Sequence, residues 1–303
     1  PFTADEITAR MGSLWIPVPR FMHGKRPIDD FSIYGQNGTV ASPWKLILGG
    51  TDEITGLAVL WVRAVADDRS VEVLLPDGSV LKGTLAEDFS ISEARDLLGK
   101  LTDLRGAYRQ FAAFPGHAYA SIVSVWDPVA ECVRFFIPSA LMFGETGAVY
   151  GFNRTSKFVS VLAARGPALV VSGFYDDFTQ LECSPLIESA HTTFKQMLEI
   201  LGLDVATEAK NNKPFAKKFN VLGVEMNLEG SVNDVVEVGP KKDRVVEVTS
   251  LCREAIKEDE LTRVQADSMA GKIRCFREGY FGRRGAVALN QIRLHAAAPC
   301  LHL

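Results

Sequence analysis

Two neighbouring carboxylates, Asp176 and Asp177, sit in the run Phe174-Tyr175-Asp176-Asp177-Phe178, between two short apolar stretches. Adjacent acids at a turn repel each other unless a cation lies nearby, and oxygen ligands of this kind attract a divalent metal. A third acid, Asp103, stands well upstream after another short apolar piece, with Tyr108 five residues further on. Three such carboxylates, brought together, could hold two hard cations about 4 Å apart, an arrangement suited to phosphoryl transfer. Taken singly, the pair also reads as a solvated acidic turn and Asp103 as an ordinary helix N-cap.

The surrounding sequence predicts the elements that would bring these acids together. Ala168 to Phe174 reads as a short buried strand, Asp176-Asp177 as a polar turn and Phe178 to Cys183 as the returning strand. Ser184-Pro185 then supplies an N-cap and a proline at the first helical position, for a helix that runs to Leu201 and stops at Gly202. Upstream, Val149 to Ala164 lacks proline and spaces Phe152, Phe158, Val161 and Leu162 as a buried helical face would. The resulting order is strand, helix, hairpin, helix, strand, an α+β pattern. Further hairpins are predicted at Ser70 to Thr84, around Pro76-Asp77-Gly78, and at Ser121 to Ile137, around Asp127-Pro128. Residues 15–43 suit loops and edge strands, and residues 250–296 read as two helices rich in both charge signs.

At 303 residues and 47% apolar, the chain can bury more than one core. No apolar run reaches the roughly 18 to 20 residues of a membrane span, and there is no basic-then-apolar leader, so an intracellular protein, cytoplasmic or nuclear, is expected. Opening at Pro1 without a methionine, the sequence reads as a piece of a longer polypeptide. The five cysteines are scattered without zinc-ligand spacing and read as free thiols. The net charge of −4 weighs against a nucleic-acid binder, although such binding needs positive charge only along the groove that carries the strands. Lys210, Lys213, Lys217 and Lys218, with Lys272, Arg274, Arg277, Arg283 and Arg284, form basic stretches that could follow a backbone or be merely a solvated face.

Taken together and in order, these segments resemble the reverse transcriptases of retrotransposons, in several places the DIRS-type and related elements. Lys25-Arg26-Pro27-Ile28-Asp29-Asp30-Phe31-Ser32 resembles the fingers motif, and Asp103 through Gln110 resembles motif A. Leu141 to Phe152, containing Phe143-Gly144-Glu145, resembles the glycine loop and helix of motif B, and Phe174-Tyr175-Asp176-Asp177 resembles motif C. Leu201-Gly202-Leu203 with Lys210 is similar to motif D, and Phe219 to Val224, containing Leu222-Gly223, to the primer grip. Gly271 to Phe276 with Phe281-Gly282-Arg283 is similar to the thumb-side helices. Departures are Val149 where a proline is common, Phe174 where a tyrosine is usual, and the bulky Tyr175 before the acids.

The resemblance implies a polymerase right hand with a ferredoxin-like palm, an antiparallel sheet plus helices. Residues 1–98 would be fingers with a β-hairpin insertion, and 99–228 palm, with finger strands at about 119–138. Residues 229–303 would be a helical thumb or connection-like region. It implies DNA synthesis from dNTPs on an RNA or DNA template with a primer. Asp103, Asp176 and Asp177 would hold two Mg²⁺ ions, with Mn²⁺ as a substitute, and Arg26, helped by Lys25, would grip the triphosphate. Tyr108 would lie under the sugar, Phe143 and Gly144 against the nucleotide, Lys210 would be the general acid, and Leu222-Gly223 would hold the primer. The rival readings are an RNA-dependent RNA polymerase, which has no need of Tyr108, and a decayed or domesticated palm that only binds RNA or protein.

Overall fold

The computed structural model describes the chain except residues 25, 44, 208–212, 259–260, 278–285 and 298–303, and leaves aside the side chains of 26 and 275–277. The first elements are α1 (Ala4–Met11), β1 (Pro17–His23), β2 (Arg26–Asp29), α2 (Gln36–Thr39) and α3 (Thr51–Ala64). Next come β3 (Ser70–Leu74), β4 (Val80–Thr84), α4 (Ile91–Arg95), β5 (Leu97–Asp103), β6 (Ile122–Asp127) and β7 (Cys132–Phe136). The middle of the chain forms α5 (Thr146–Arg165), β8 (Val170–Phe174), β9 (Asp177–Cys183) and α6 (Ile187–Ile200). The remainder is β10 (Lys218–Val221), β11 (Val224–Asn227), β12 (Glu237–Pro240), α7 (Lys242–Glu258), α8 (Arg263–Arg277) and α9 (Ala286–Ala297).

The central sheet runs β5-β9-β8, antiparallel throughout. All of β9 from Phe178 to Cys183 is buried, because helices cover one face and a second sheet covers the other. On the helical side, Phe152, Val159 and Ala163 of α5 and Ala190, Phe194 and Leu198 of α6 close over Phe178 and Val171. On the opposite side, Ile54, Ala58 and Val62 of α3, with Val221, Val224 and Met226 of the β10-β11-β12 sheet, close over Leu97, Leu181 and Cys183. A four-stranded ferredoxin-like sheet would add another strand beside β5. Among the described residues that edge carries two isolated bridges, Leu104 with Val205 and Gly99 with Ala216.

A third core, around Val18, Phe31, Val123 and Met142, belongs to the sheet β2-β1-β6-β7. Pro17 and Pro19 lie in β1, which pairs in parallel with β6 on one side and antiparallel with β2 on the other. The β3-β4 hairpin forms its own two-stranded sheet, with β4 wholly exposed, as expected of an insertion.

The structure corrects the sequence expectations at several points. Asp177 is the first residue of β9 rather than part of the turn, because its backbone pairs with both Phe174 and Asp103. Ser184 is not an N-cap: Ser184–Leu186 is a 3₁₀ turn before α6, and no side chain caps it. Asp103 ends a strand and caps no helix. Among the described residues the C-terminal part holds three helices rather than two, the first starting at Lys242. No helix among the described residues is long and apolar enough to cross a membrane.

Candidate active site

The register of β5 against β9 sets Asp103 directly opposite Asp177, although the two are 74 positions apart in the chain. The Leu104 amide donates to the carbonyl of Asp176 at 3.3 Å, which ties the end of β5 to the hairpin tip. The three acids therefore share one end of the central sheet. Tyr175, in the two-residue turn, adopts φ 53°, a left-handed conformation uncommon for an aromatic residue. Its ring meets Phe174 edge-on at 4.8 Å.

The acids bear the marks of that proximity. Burial, then the charges of Asp176 and Asp103, push the Asp177 carboxyl up to about 6. Burial also raises Asp176, against the opposing pull of its own backbone. Grouped, half-buried carboxylates that resist ionisation fit a hard divalent cation in donor chemistry, since a cation among them relieves both the burial cost and the repulsion. Among the described residues, no group of three or more His, Cys, Asp or Glu side chains is arranged to hold a metal ion as it stands.

Beside the acids stands a stack of rings. Tyr108, 7% exposed, lies in a 3₁₀ turn after Gly106, whose φ of 69° turns the chain out of β5. Its ring packs on Phe152 of α5 at 4.7 Å and meets Phe143 edge-on at 6.0 Å, and Phe111 meets Phe152 at 5.5 Å. Burial first, then Asp176 and Tyr175, push the Tyr108 hydroxyl up to about 12, so it stays protonated. Phe143 is half exposed, on the loop before α5. Gly144 follows with φ 102°, and a Cβ there would lie 2.5 Å from the Asp29 carbonyl oxygen, so only glycine fits.

Sequence reading gave no role to Gln110, which the structure shows to be a clamp. Its side-chain amide donates to the carbonyls of Arg105 and Asp204, and its oxygen accepts from the Asp204 amide at 2.7 Å. The Ala206 amide donates to the Asp103 carbonyl at 2.8 Å, so the chain after α6 braces the end of β5. A glutamine carries no sequence signal for such bracing.

Of the other expected residues, Leu222 and Gly223 form the two-residue loop of the β10-β11 hairpin, both with positive φ (47° and 88°), as a type I′ turn requires. They lie on the far side of the central sheet from α5 and α6. Arg26 begins β2, while Lys25 and Lys210 lie outside the described residues, as do Arg283 and Arg284. Among the described basic residues, Lys217 pairs with Asp96, Lys218 with Glu229 at 2.5 Å and Lys272 with Glu247 at 2.9 Å.

No protein-family model and no curated protein matches the chain. Among solved structures it is similar to a foamy viral protease-reverse transcriptase in complex with double-stranded DNA, with a TM-score of 0.52 and 12% identity. The likeness covers 94% of this chain and 41% of that one, so the chain spans well under half the length of its neighbour. At this identity the likeness shows the fold, which is reverse-transcriptase-like.

Proposed function

We propose that the chain is the catalytic core of a reverse transcriptase, of a retrotransposon of DIRS or related type, that makes DNA from dNTPs on a primed RNA or DNA template. The convergence of Asp103, Asp176 and Asp177 at one end of the β5-β9-β8 sheet, beside Tyr108, carries this reading. The architecture is a right hand, with β2-β1-β6-β7 as fingers, β5-β9-β8 with α5 and α6 as palm, and α7 to α9 as thumb.

In this mechanism Asp103 and Asp176 would hold two Mg²⁺ ions, with Asp177 in a supporting role. Magnesium, when bound, neutralises triphosphate charge and lowers the pKa of the primer 3′-hydroxyl. The Tyr108 ring, fixed by Phe152 and Phe143, fills the space a ribose 2′-hydroxyl would need and so selects deoxynucleotides. Arg26, with Lys25, pairs with triphosphate oxygens, for which its planar fork is suited. Lys210 returns a proton to the departing pyrophosphate, and Leu222-Gly223 holds the primer.

A decayed or domesticated palm that only binds RNA or protein is the second reading. Primer extension with Mg²⁺ separates the two. Extension with dNTPs that disappears in Asp176→Asn supports the polymerase, a preference for rNTPs marks an RNA polymerase, and binding without extension by either supports the non-catalytic palm.

A further inference from the structure

The loop bearing Phe143 and Gly144 is held from a distance by one side chain, Asn37 of α2. Its Oδ1 accepts from the Thr146 amide at 2.8 Å and its Nδ2 donates to the Gly144 carbonyl at 3.0 Å, across 109 and 107 residues of sequence. Nδ2 also reaches the Ser32 hydroxyl at 3.2 Å, and the Asn37 amide donates to the Phe31 carbonyl at 3.0 Å, anchoring the residue in its own loop. Thr146 is the first residue of α5, whose preceding residue, Glu145, gives no side-chain cap. The amide groups of a helix's first turn lack intrahelical partners, and here one is satisfied by a residue of α2, more than a hundred positions earlier in the chain.

We propose that Asn37 is a positioning residue, a latch through which the fingers fix the Gly144 loop and thereby the pocket for the incoming nucleotide. The inference rests on the polymerase reading for its consequence but not for its geometry. The β2 backbone already lies against this loop, since the Asp29 carbonyl oxygen is 2.5 Å from where a Gly144 Cβ would be, and the Asp29 side chain is itself held by two bonds from Arg20 at 2.7 and 3.2 Å. Contact alone leaves the loop able to slide. The two bonds of Asn37 bracket Glu145 and set the peptides on either side of it, so Phe143 stays edge-on to Tyr108. A nucleotide seated against Tyr108 therefore meets a wall whose position is decided in the fingers.

Asn37→Asp separates latch from helix cap. Aspartate still accepts from the Thr146 amide, and its charge suits a helix N-terminus, but it cannot donate to the Gly144 carbonyl. Asn37→Ala should raise the dNTP KM about tenfold with kcat within about threefold, and weaken discrimination against ribonucleotides. Asn37→Asp should show the same kinetic defect while melting no lower than wild type. Wild-type kinetics in Asn37→Asp would reduce the residue to a helix cap and overturn the latch. Amide exchange at Thr146 reads the geometry whatever the activity: slow exchange in wild type, released in Asn37→Ala, is expected, and exchange unchanged by the substitution overturns the proposal. A wild-type chain that extends no primer, yet shows that exchange pattern, sinks the polymerase reading and leaves the latch standing as geometry.

Discussion

Asp103 and Asp177 face each other as direct cross-strand partners at the end of the β5-β9 pair. Like charges in that relationship destabilise a sheet by some tenths of a kcal/mol to about 1 kcal/mol. Asp176 adds a third charge at the adjoining tip. A site kept at the expense of stability is expected to gain stability when it is disarmed. Asp177→Asn should therefore raise the metal-free melting temperature at neutral pH by roughly a few degrees while reducing primer extension at least about tenfold. A calorimetric scan showing a lower melting temperature would mean that the carboxylate is held by favourable contacts instead.

Tyr108 joins the core to the site, being packed between Phe152 and Phe143. Tyr108→Phe keeps the ring and should preserve the preference for deoxynucleotides. Tyr108→Ala should admit ribonucleotides and, by leaving a cavity among buried rings, destabilise the protein by about 3 kcal/mol. Competition between dCTP and CTP on a primed template measures the first effect and denaturant unfolding the second. Unchanged discrimination in Tyr108→Ala removes the residue from sugar selection.

What the sequence revealed followed local signals. The β8-β9 hairpin, α6 and both other predicted hairpins were legible from local signals, as were the stop at Gly202 (φ 72°) and the helical C-terminal region. The helix α5 was legible as a helix but not its buried face: Phe152 is buried as expected, whereas Phe158 and Val161 are exposed and Val159 and Ala163 take the core side. The capping box of Thr3 with Glu6, which opens α1, was equally visible yet went unread, as did that of Ser90 with Glu93 at α4. Asp177 was misplaced by one element because a two-residue turn needs a residue with positive φ, and Tyr175 gives no hint of adopting one. The Asn37 latch and the Gln110 clamp were invisible because both depend on chain segments dozens of residues away. Side-chain amides that bond to distant backbone carry no periodicity.

Gly144 and Gly106 both have positive φ, yet their surroundings differ. A Cβ at Gly106 meets nothing within 4 Å, whereas one at Gly144 meets the Asp29 carbonyl. Gly106→Ala should cost about 1 kcal/mol from backbone strain alone, and Gly144→Ala clearly more, with loop displacement and loss of most extension activity. Equal melting temperatures for the two variants would show that the Asp29 contact yields without cost.

Glu182 is a carboxyl outside the site whose burial should show in the pH dependence of stability. It is 5% exposed on β9 and accepts from the Cys183 amide at 3.0 Å. Burial raises its pKa, against the weaker pull of that hydrogen bond. A carboxyl whose folded pKa lies above its unfolded value releases its proton more readily in the unfolded chain. Its contribution is thus fully present below the ordinary value of 4.5 and is lost as pH rises from there through the raised folded pKa. Glu182→Gln keeps an oxygen for the Cys183 amide and carries no charge. The variant should melt a few degrees above wild type at about pH 8 and level with it near pH 4. Thermal scans of both proteins across that range would decide it, and a variant that is less stable at high pH would show that the ionised carboxylate has a favourable partner in the core.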